Sequence, residues 1–336
     1  MELNRRSMWD LLSFVFLAMV PLVTEGYTLD LITKIMLYAM LALALELVVG
    51  TTGLVCFCQA AFFGIGAYAA VLLSSESEAV SIIWLMPAAV GCAALYALFV
   101  GALSLRTKGV YFIMVTLAFG QMAYYVFHDT DVGGGTDGIY LYFRPVLGQL
   151  IDFEQSLHFY YFTLGSLALV FFFLMMLLQS RFGRALSGIH QNEQRMRATG
   201  FDTYGYKLTA FTLSGALSGL AGFLFAVKDG FVNPEMLSWH FSGAVLVMII
   251  FGGLGSLRGA AIGALAYVLL EEFFKSEDIW GAFSKHWHLG LGLTIILSVA
   301  LLPRGLAGLP ALLKQRLLGT REAGTEPDQR GQDASA

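Results

Sequence analysis

Four groups of residues in this 336-residue chain have types and spacings that could do chemistry, and each is undone by its surroundings. Gly133, Gly135 and Gly138 satisfy G-x-G-x-x-G, which cradles a pyrophosphate only between a strand and a helix. Here the run follows a long apolar segment and reads as a loop on the outer side. The glycine-rich "GGLGSLRG" at 252–259 lacks the Gly-Lys-Ser/Thr ending that holds phosphate, so any ATP chemistry is expected in a different chain. His286 and His288 are two residues apart with no carboxylate or third ligand on a common face, and no metal site is expected. Cys56, Cys58 and Cys92 all fall in apolar windows and read as small core residues. No His, Asp and Glu cluster at one depth, as a membrane-embedded enzyme requires.

What remains are polar groups inside apolar segments, where each is costly enough to suggest a use. Gln59, Thr116, Gln121, Ser214 and Ser218 are the candidates for a solute path. Interhelical hydrogen bonding is the competing use for the first three, and packing for the two serines. Glu46, about one turn from the inner end of its segment, is expected to snorkel or to pair with a basic residue.

The elements that position these groups follow from composition. With 57% hydrophobic residues, 13% charged residues and a mean hydropathy of +0.70, the chain is expected in a bilayer. Apolar windows recur near 8–24, 29–49, 54–74, 82–103, 110–127, 157–178, 206–227, 241–254, 260–274 and 289–302. The expected fold is therefore all-α and polytopic, with about ten transmembrane helices. The short windows on either side of Gly255 are candidates for broken or re-entrant helices. The first window is followed by Thr24, Glu25 and Gly26 rather than a small-x-small site, which suits an uncleaved span. Residues 1–310 form the membrane domain, and 311–336 a cytoplasmic tail that is polar and expected to be disordered from 319.

Orientation follows from the basic residues, which collect on cytoplasmic loops. With the N-terminus inside, 15 of the 20 lysines and arginines face the cytoplasm, leaving Lys34, Arg144, Lys228, Lys275 and Lys285 elsewhere. Both termini are then cytoplasmic. Five of the inside charges lie in the polar stretch 181–207. There Leu186, Ile189, Glu193 and Met196 share one helical face, and Glu193 stands four residues before Arg197, within reach of an ion pair. Gly200 is placed to stop that helix, and Asp202 or Thr203 to cap the next, expected from about Tyr206. Such a segment either rests on lipid headgroups or docks into a soluble partner. Close helix packing is expected through small residues: Gly64 with Ala60 and Ala67, Gly215 and Gly219 with Gly222, and Gly255 and Gly259 with Gly263.

The stretch "NEQRMRATGFDTYGYKLTAF" (192–211) resembles the cytoplasmic coupling loop of LivM-type permease subunits of bacterial branched-chain amino acid ABC importers. Further segments resemble that family in order: "CQAAFFGIGAYAAVLL", "LRTKGVYFIMVTLAFGQM", "GGTDGI", "FVNPEMLSW", "GGLGSLRGAAIGA" and "LPRGLAGL". One departure stands before Gln59, where Cys56, Phe57 and Cys58 replace the family's usual Ser-Leu-Gly.

The resemblance implies a multi-pass subunit of the inner membrane that binds no cofactor and no nucleic acid. It implies a second, LivH-type permease, two ATPase subunits of the LivG and LivF type that use the ATP, and a periplasmic binding protein. Glu193, Arg195, Arg197, Gly200 and Asp202 would engage the ATPase, and the outer "GGGTDGI" and "KDGFVNPEM" loops the binding protein. The substrate implied is leucine, isoleucine and valine or another small amino acid, with urea and short amides as the alternative.

Overall fold

The structure, a computed structural model, describes residues 2–22, 24, 26–74, 80–146, 153, 155–301 and 305–308; the expected tail at 311–336 lies outside them. Every apolar window becomes a helix. These are α1 (Glu2–Met19), α2 (Tyr27–Thr52), α3 (Gln59–Leu72), α4 (Ile82–Ser104), α5 (Val110–Asp129) and α6 (Ser156–Gln179). The polar stretch holds α7 (Arg181–Gln191) and α8 (Glu193–Ala198). Then come α9 (Thr203–Asp229), α10 (Trp239–Gly252), α11 (Leu257–Lys275), the single turn α12 (Glu277–Trp280) and α13 (Trp287–Leu301).

Ten helices are not ten complete crossings. Among the described residues α2, α4, α5, α6 and α9 are long and apolar enough to cross a membrane. The pair α10–α11 is bent by 117° at its break, as the glycines around Gly255 led one to expect. The 14 residues of α3 rise only about 21 Å at 1.5 Å each, short of a hydrocarbon core of about 30 Å. Non-helical backbone at 53–58 leads into it, with Cys56 and Cys58 buried in the protein.

Burial separates a hub from a rim. In the most apolar window of each helix, α2 is 83% and α9 78% buried, whereas α4, α5 and α6 are 28%, 22% and 33% buried. A helix that is apolar all round belongs inside. The rim helices turn large apolar side chains outward, among them Trp84, Tyr111 and Met176, as a surface solvated by acyl chains allows. α3 lies against α9 with backbone nearly touching backbone: a Cβ on Gly222 would stand 1.8 Å from the Phe63 carbonyl oxygen, and one on Gly66 would stand 2.2 Å from that of Gly219. Gly215 and Gly219 meet Ala97 and Ala93 of α4, and Gly64 meets Leu237. Small residues are what allow α9 to approach α3 and α4 this closely.

Gly255 is a correction. No atom lies within 4 Å of where its Cβ would be, and its φ is +86°, so it serves the turn between α10 and α11 rather than a helix contact. Gly259 and Gly263 do pack, against the backbone of 248–253.

Two long loops meet on the face remote from α7 and α8. β1 (Ile139–Tyr140) and β2 (Phe231–Val232) pair antiparallel, Ile139 opposite Val232 and Tyr140 opposite Phe231. Arg144 adds hydrogen bonds to the carbonyls of Phe153 (3.0 Å) and Lys228 (3.3 Å). On the other side, Asp10 of α1 accepts two hydrogen bonds of 2.6 Å from Arg258 at the start of α11.

Candidate functional site

The polar stretch folds as a compact unit under the hub. Ser180 caps α7 by accepting from Phe182 and Gly183, and Leu186 and Ile189 are buried against the membrane helices. The continuous helical face expected through Met196 is broken at Asn192. That residue is extended (φ −159°, ψ 97°), and its side chain accepts from the Arg195 amide at 2.9 Å to start α8. The stop at Gly200 is as expected: its φ is +87°, its amide donates to the Arg197 carbonyl (2.9 Å) and that of Phe201 to Met196 (3.1 Å). Asp202 caps α9 through the Gly205 amide, so α9 begins at Thr203, one turn earlier than expected.

Glu193 is the junction of this unit. It accepts from Arg197 at 2.8 Å, as its spacing suggested, and also from Lys207 at 2.9 Å and Thr203 at 3.2 Å. Arg197 itself reaches Thr203 at 3.0 Å. Partial burial works against the carboxylate's charge. The hydrogen bond from Lys207 and the charges of Lys207, Lys108 and Arg197 outweigh it and hold Glu193 below the usual carboxylate range. Lys207 is only 6% exposed, which makes this pair the anchor of α8 on α9. Outward the unit presents Arg195, Thr199, Gly200, Asp202 and the ring of Phe201, 41% exposed. Phe201 and Lys207 were not singled out from the sequence. Their signal was position alone, next to a helix stop and at the foot of a span.

The solute-path candidates divide. Gln59, Ser214 and Ser218 converge in one buried cluster where α2, α3, α9 and α10 meet. The Gln59 amide donates to Ser214 (3.2 Å) and to Ser218, Ser214 donates to the Ala44 carbonyl at 2.5 Å, and the Ala60 amide donates to Ser242 at 3.0 Å. In this conformation their hydrogen bonds are spent on one another. Thr116 lies apart, 3.4 Å from the Phe57 amide, and Gln121 has a buried Nε2 with no partner among the described residues. Ahead of Gln59, where the family pattern is departed from, the buried sulfurs of Cys56 and Cys58 are 3.0 Å apart.

Glu46 does not snorkel or pair with a base. It is 1% exposed, and its Oε1 accepts the Gly255 amide at 2.6 Å, pinning the break between α10 and α11 to the last turns of α2. Gly50 makes room, since a Cβ there would stand 2.0 Å from that oxygen. At the end of the same helix, Gly53 lies against the His190 ring of α7. One helix thus touches both the polar unit and the break.

The arrangement is suited to passing movement from a docked surface into a helix bundle. A family model described as the branched-chain amino acid transport system / permease component matches residues 27–299. The high-affinity branched-chain amino acid transport permease LivM of Escherichia coli K12 is 31% identical over 314 residues, covering 85% of this chain and 71% of its own. Its counterpart from Salmonella typhimurium is 30% identical over 309 residues, with the same shares. The autoinducer 2 import permease LsrC of Escherichia coli is 29% identical over 112 residues, 33% of this chain and 32% of its own. No solved structure matches.

Proposed function

The chain belongs to the branched-chain amino acid transport permease family, and from that premise we propose that it is the LivM-type half of an ATP-driven importer of leucine, isoleucine and valine. In this reading a LivH-type permease completes the pathway in the bacterial inner membrane. Two ATPase subunits of the LivG and LivF type engage the two permeases, and a periplasmic binding protein delivers solute. The observation that carries it is the anchored α7–α8 unit, whose apolar stripe is buried in its own protein and whose outer face is left for a partner.

The mechanism follows from the connections. Closure of the ATPases on nucleotide would push α8. The Glu193–Lys207 pair would carry the displacement to α9, and the contact of His190 with Gly53 would carry it to α2. Because α2 and α9 are the most buried long helices, moving them moves the polar cluster and the break at Gly255 together. Densely packed interiors transmit such strain rather than absorbing it.

In proteoliposomes holding the assembled complex, leucine uptake is expected to require enclosed ATP, both ATPase subunits and the loaded binding protein. Leucine uptake without ATPase subunits would overturn the reading. Import of urea or a short amide in place of leucine would keep the permease and change its substrate.

Topology gives a second expected result. With Cys92 replaced by serine, cysteines introduced for the exposed Gln194 and Thr136 should be labelled from opposite sides, Gln194 from the cytoplasm. Labelling of both from one side would refute the proposed topology.

A further inference from the structure

Between α1, α2, α6 and α11 lies a cavity of about 600 Å³ that neither the polar unit nor any solute-path candidate lines. It is the gap left because α1 is fastened elsewhere. α1 packs on α6, where Phe14 meets the rings of Phe171 and Phe172 at 5.8 and 5.6 Å. Toward its outer end the hydroxyls of Tyr160 and Tyr161 donate to the carbonyls of Leu17 (2.6 Å) and Ala18 (3.2 Å), and further in Asp10 ties it to Arg258 of α11.

The lining along α2 runs from Ile32 to Leu43, about 16 Å at 1.5 Å per residue, which is about half of a hydrocarbon core of about 30 Å. It is apolar except at the Arg258 end, and there each polar side chain is already engaged. Asp10 accepts two bonds of 2.6 Å from Arg258, and Ser13 donates to the Asp10 carbonyl at 2.7 Å. Phe16 of α1 and Ile262 and Leu265 of α11, which flank the cavity, are 71%, 42% and 43% exposed, whereas Met36 and Leu43 at its back are 2% and 0% exposed. The cavity therefore opens sideways, between helices whose outer faces a bilayer would cover.

We infer that this cavity holds one acyl chain of a membrane phospholipid, wedged between α1 and α2. A polar solute would find its polar groups unpaired on apolar walls, which is costly. Water gains no partners from such walls, and a dry void of this size would forfeit the dispersion contacts of its whole lining. A hydrocarbon chain restores those contacts. The length of the lining matches the reach of a chain from one leaflet, and the opening faces the phase where such chains are the solvent. The headgroup stays outside, because Asp10 and Arg258 already neutralise each other. The inference goes beyond the importer reading and depends only on the chain's place in a membrane, not on the solute it carries.

The test uses the assembled complex in nanodiscs of phosphatidylethanolamine that carries a carbene-forming photoreactive group midway along one acyl chain. After illumination, peptide mass spectrometry is expected to find adducts on Met36, at the back of the cavity, as well as on the outward side chains Leu12 and Met19. Ala261→Phe, which places a ring in the lining, is expected to lose the Met36 adduct and to keep the outward ones. Wild-type adducts on Leu12 and Met19 alone would mean that a protein segment or a partner subunit fills the gap, or that α1 closes on α2, and would overturn the inference. A Met36 adduct undiminished in Ala261→Phe would overturn it as well. Should that variant fail to assemble, the wild-type adducts still decide the matter.

Discussion

Gly222→Leu is expected to leave almost no monodisperse protein after extraction from the membrane. The first added atom would stand 1.8 Å from the Phe63 carbonyl oxygen and 2.7 Å from its carbon, and both are backbone atoms of a buried helix. No side chain can swing aside to relieve the clash, so α3 and α9 must part. Ordinary overpacking costs about 1–3 kcal/mol, and this site lies at or beyond the upper end because the obstacle is helix backbone. Parting also opens the Gln59 cluster, whose donors and acceptors would be left unpaired out of reach of water. The matched control is Gly91→Leu on the rim helix α4, where nothing lies within 4 Å of the added carbon. Fluorescence-detected size exclusion and thermal melting should separate the two variants clearly. Wild-type yield and melting temperature for Gly222→Leu would mean that α3 and α9 do not approach this closely.

Glu193→Lys is the second large effect, and it should spare folding while uncoupling the machine. Its exposed partner Arg197 contributes little, since surface pairs are worth about 0–1 kcal/mol. The Lys207 side is different. The Lys207 side chain is 7% exposed, so reversing Glu193 places two cations about 3 Å apart with little water to screen them. α8 should then lift from α9. Coupling free energies between sites run at about 1–3 kcal/mol, so uptake is expected to fall by about 5- to 150-fold while ATP hydrolysis persists. Gly200→Val reaches the same end through the backbone, because a β-branched residue at φ +87° costs about 1–3 kcal/mol. Glu193→Gln keeps an acceptor for Lys207 and should fall between these and wild type. Normal uptake with full substrate-stimulated hydrolysis in both Glu193→Lys and Gly200→Val would remove the polar unit from the coupling mechanism.

These variants mark what the sequence discloses. The ten helices were legible because bilayer burial imprints itself as long apolar windows. Gly200 and Asp202 were legible because helix stops and caps use few residue types. The break at Asn192 was missed although an asparagine ahead of Glu193 is itself a cap signal. The 3.6-residue pattern of Leu186, Ile189 and Met196 ran through it and hid it. Lys207 was counted as one of the inside charges, but its bond to Glu193 spans 14 residues and an intervening turn, which periodicity does not encode. The same holds for the partners of Gln59, Ser214 and Ser218. Sequence marks polar groups in apolar surroundings, and only the packing of α3 on α9 decides that they meet each other. Gly255 was misread because regular four-residue spacing to Gly259 and Gly263 looks the same whether or not the helix has started.

The bond between Glu46 and the Gly255 amide also has a history, because a chain is made from one end. The two residues are 209 apart, so the ribosome finishes α2 well before α10 and α11 exist. At about 5–20 residues per second the interval is about 10–40 s. Throughout it the Glu46 side chain, near the inner end of α2, is without the amide it accepts from in the finished fold. α2 can pack on α6 and α9 as these emerge, but the bond that ties it to the break between α10 and α11 closes only when the last third of the protein arrives.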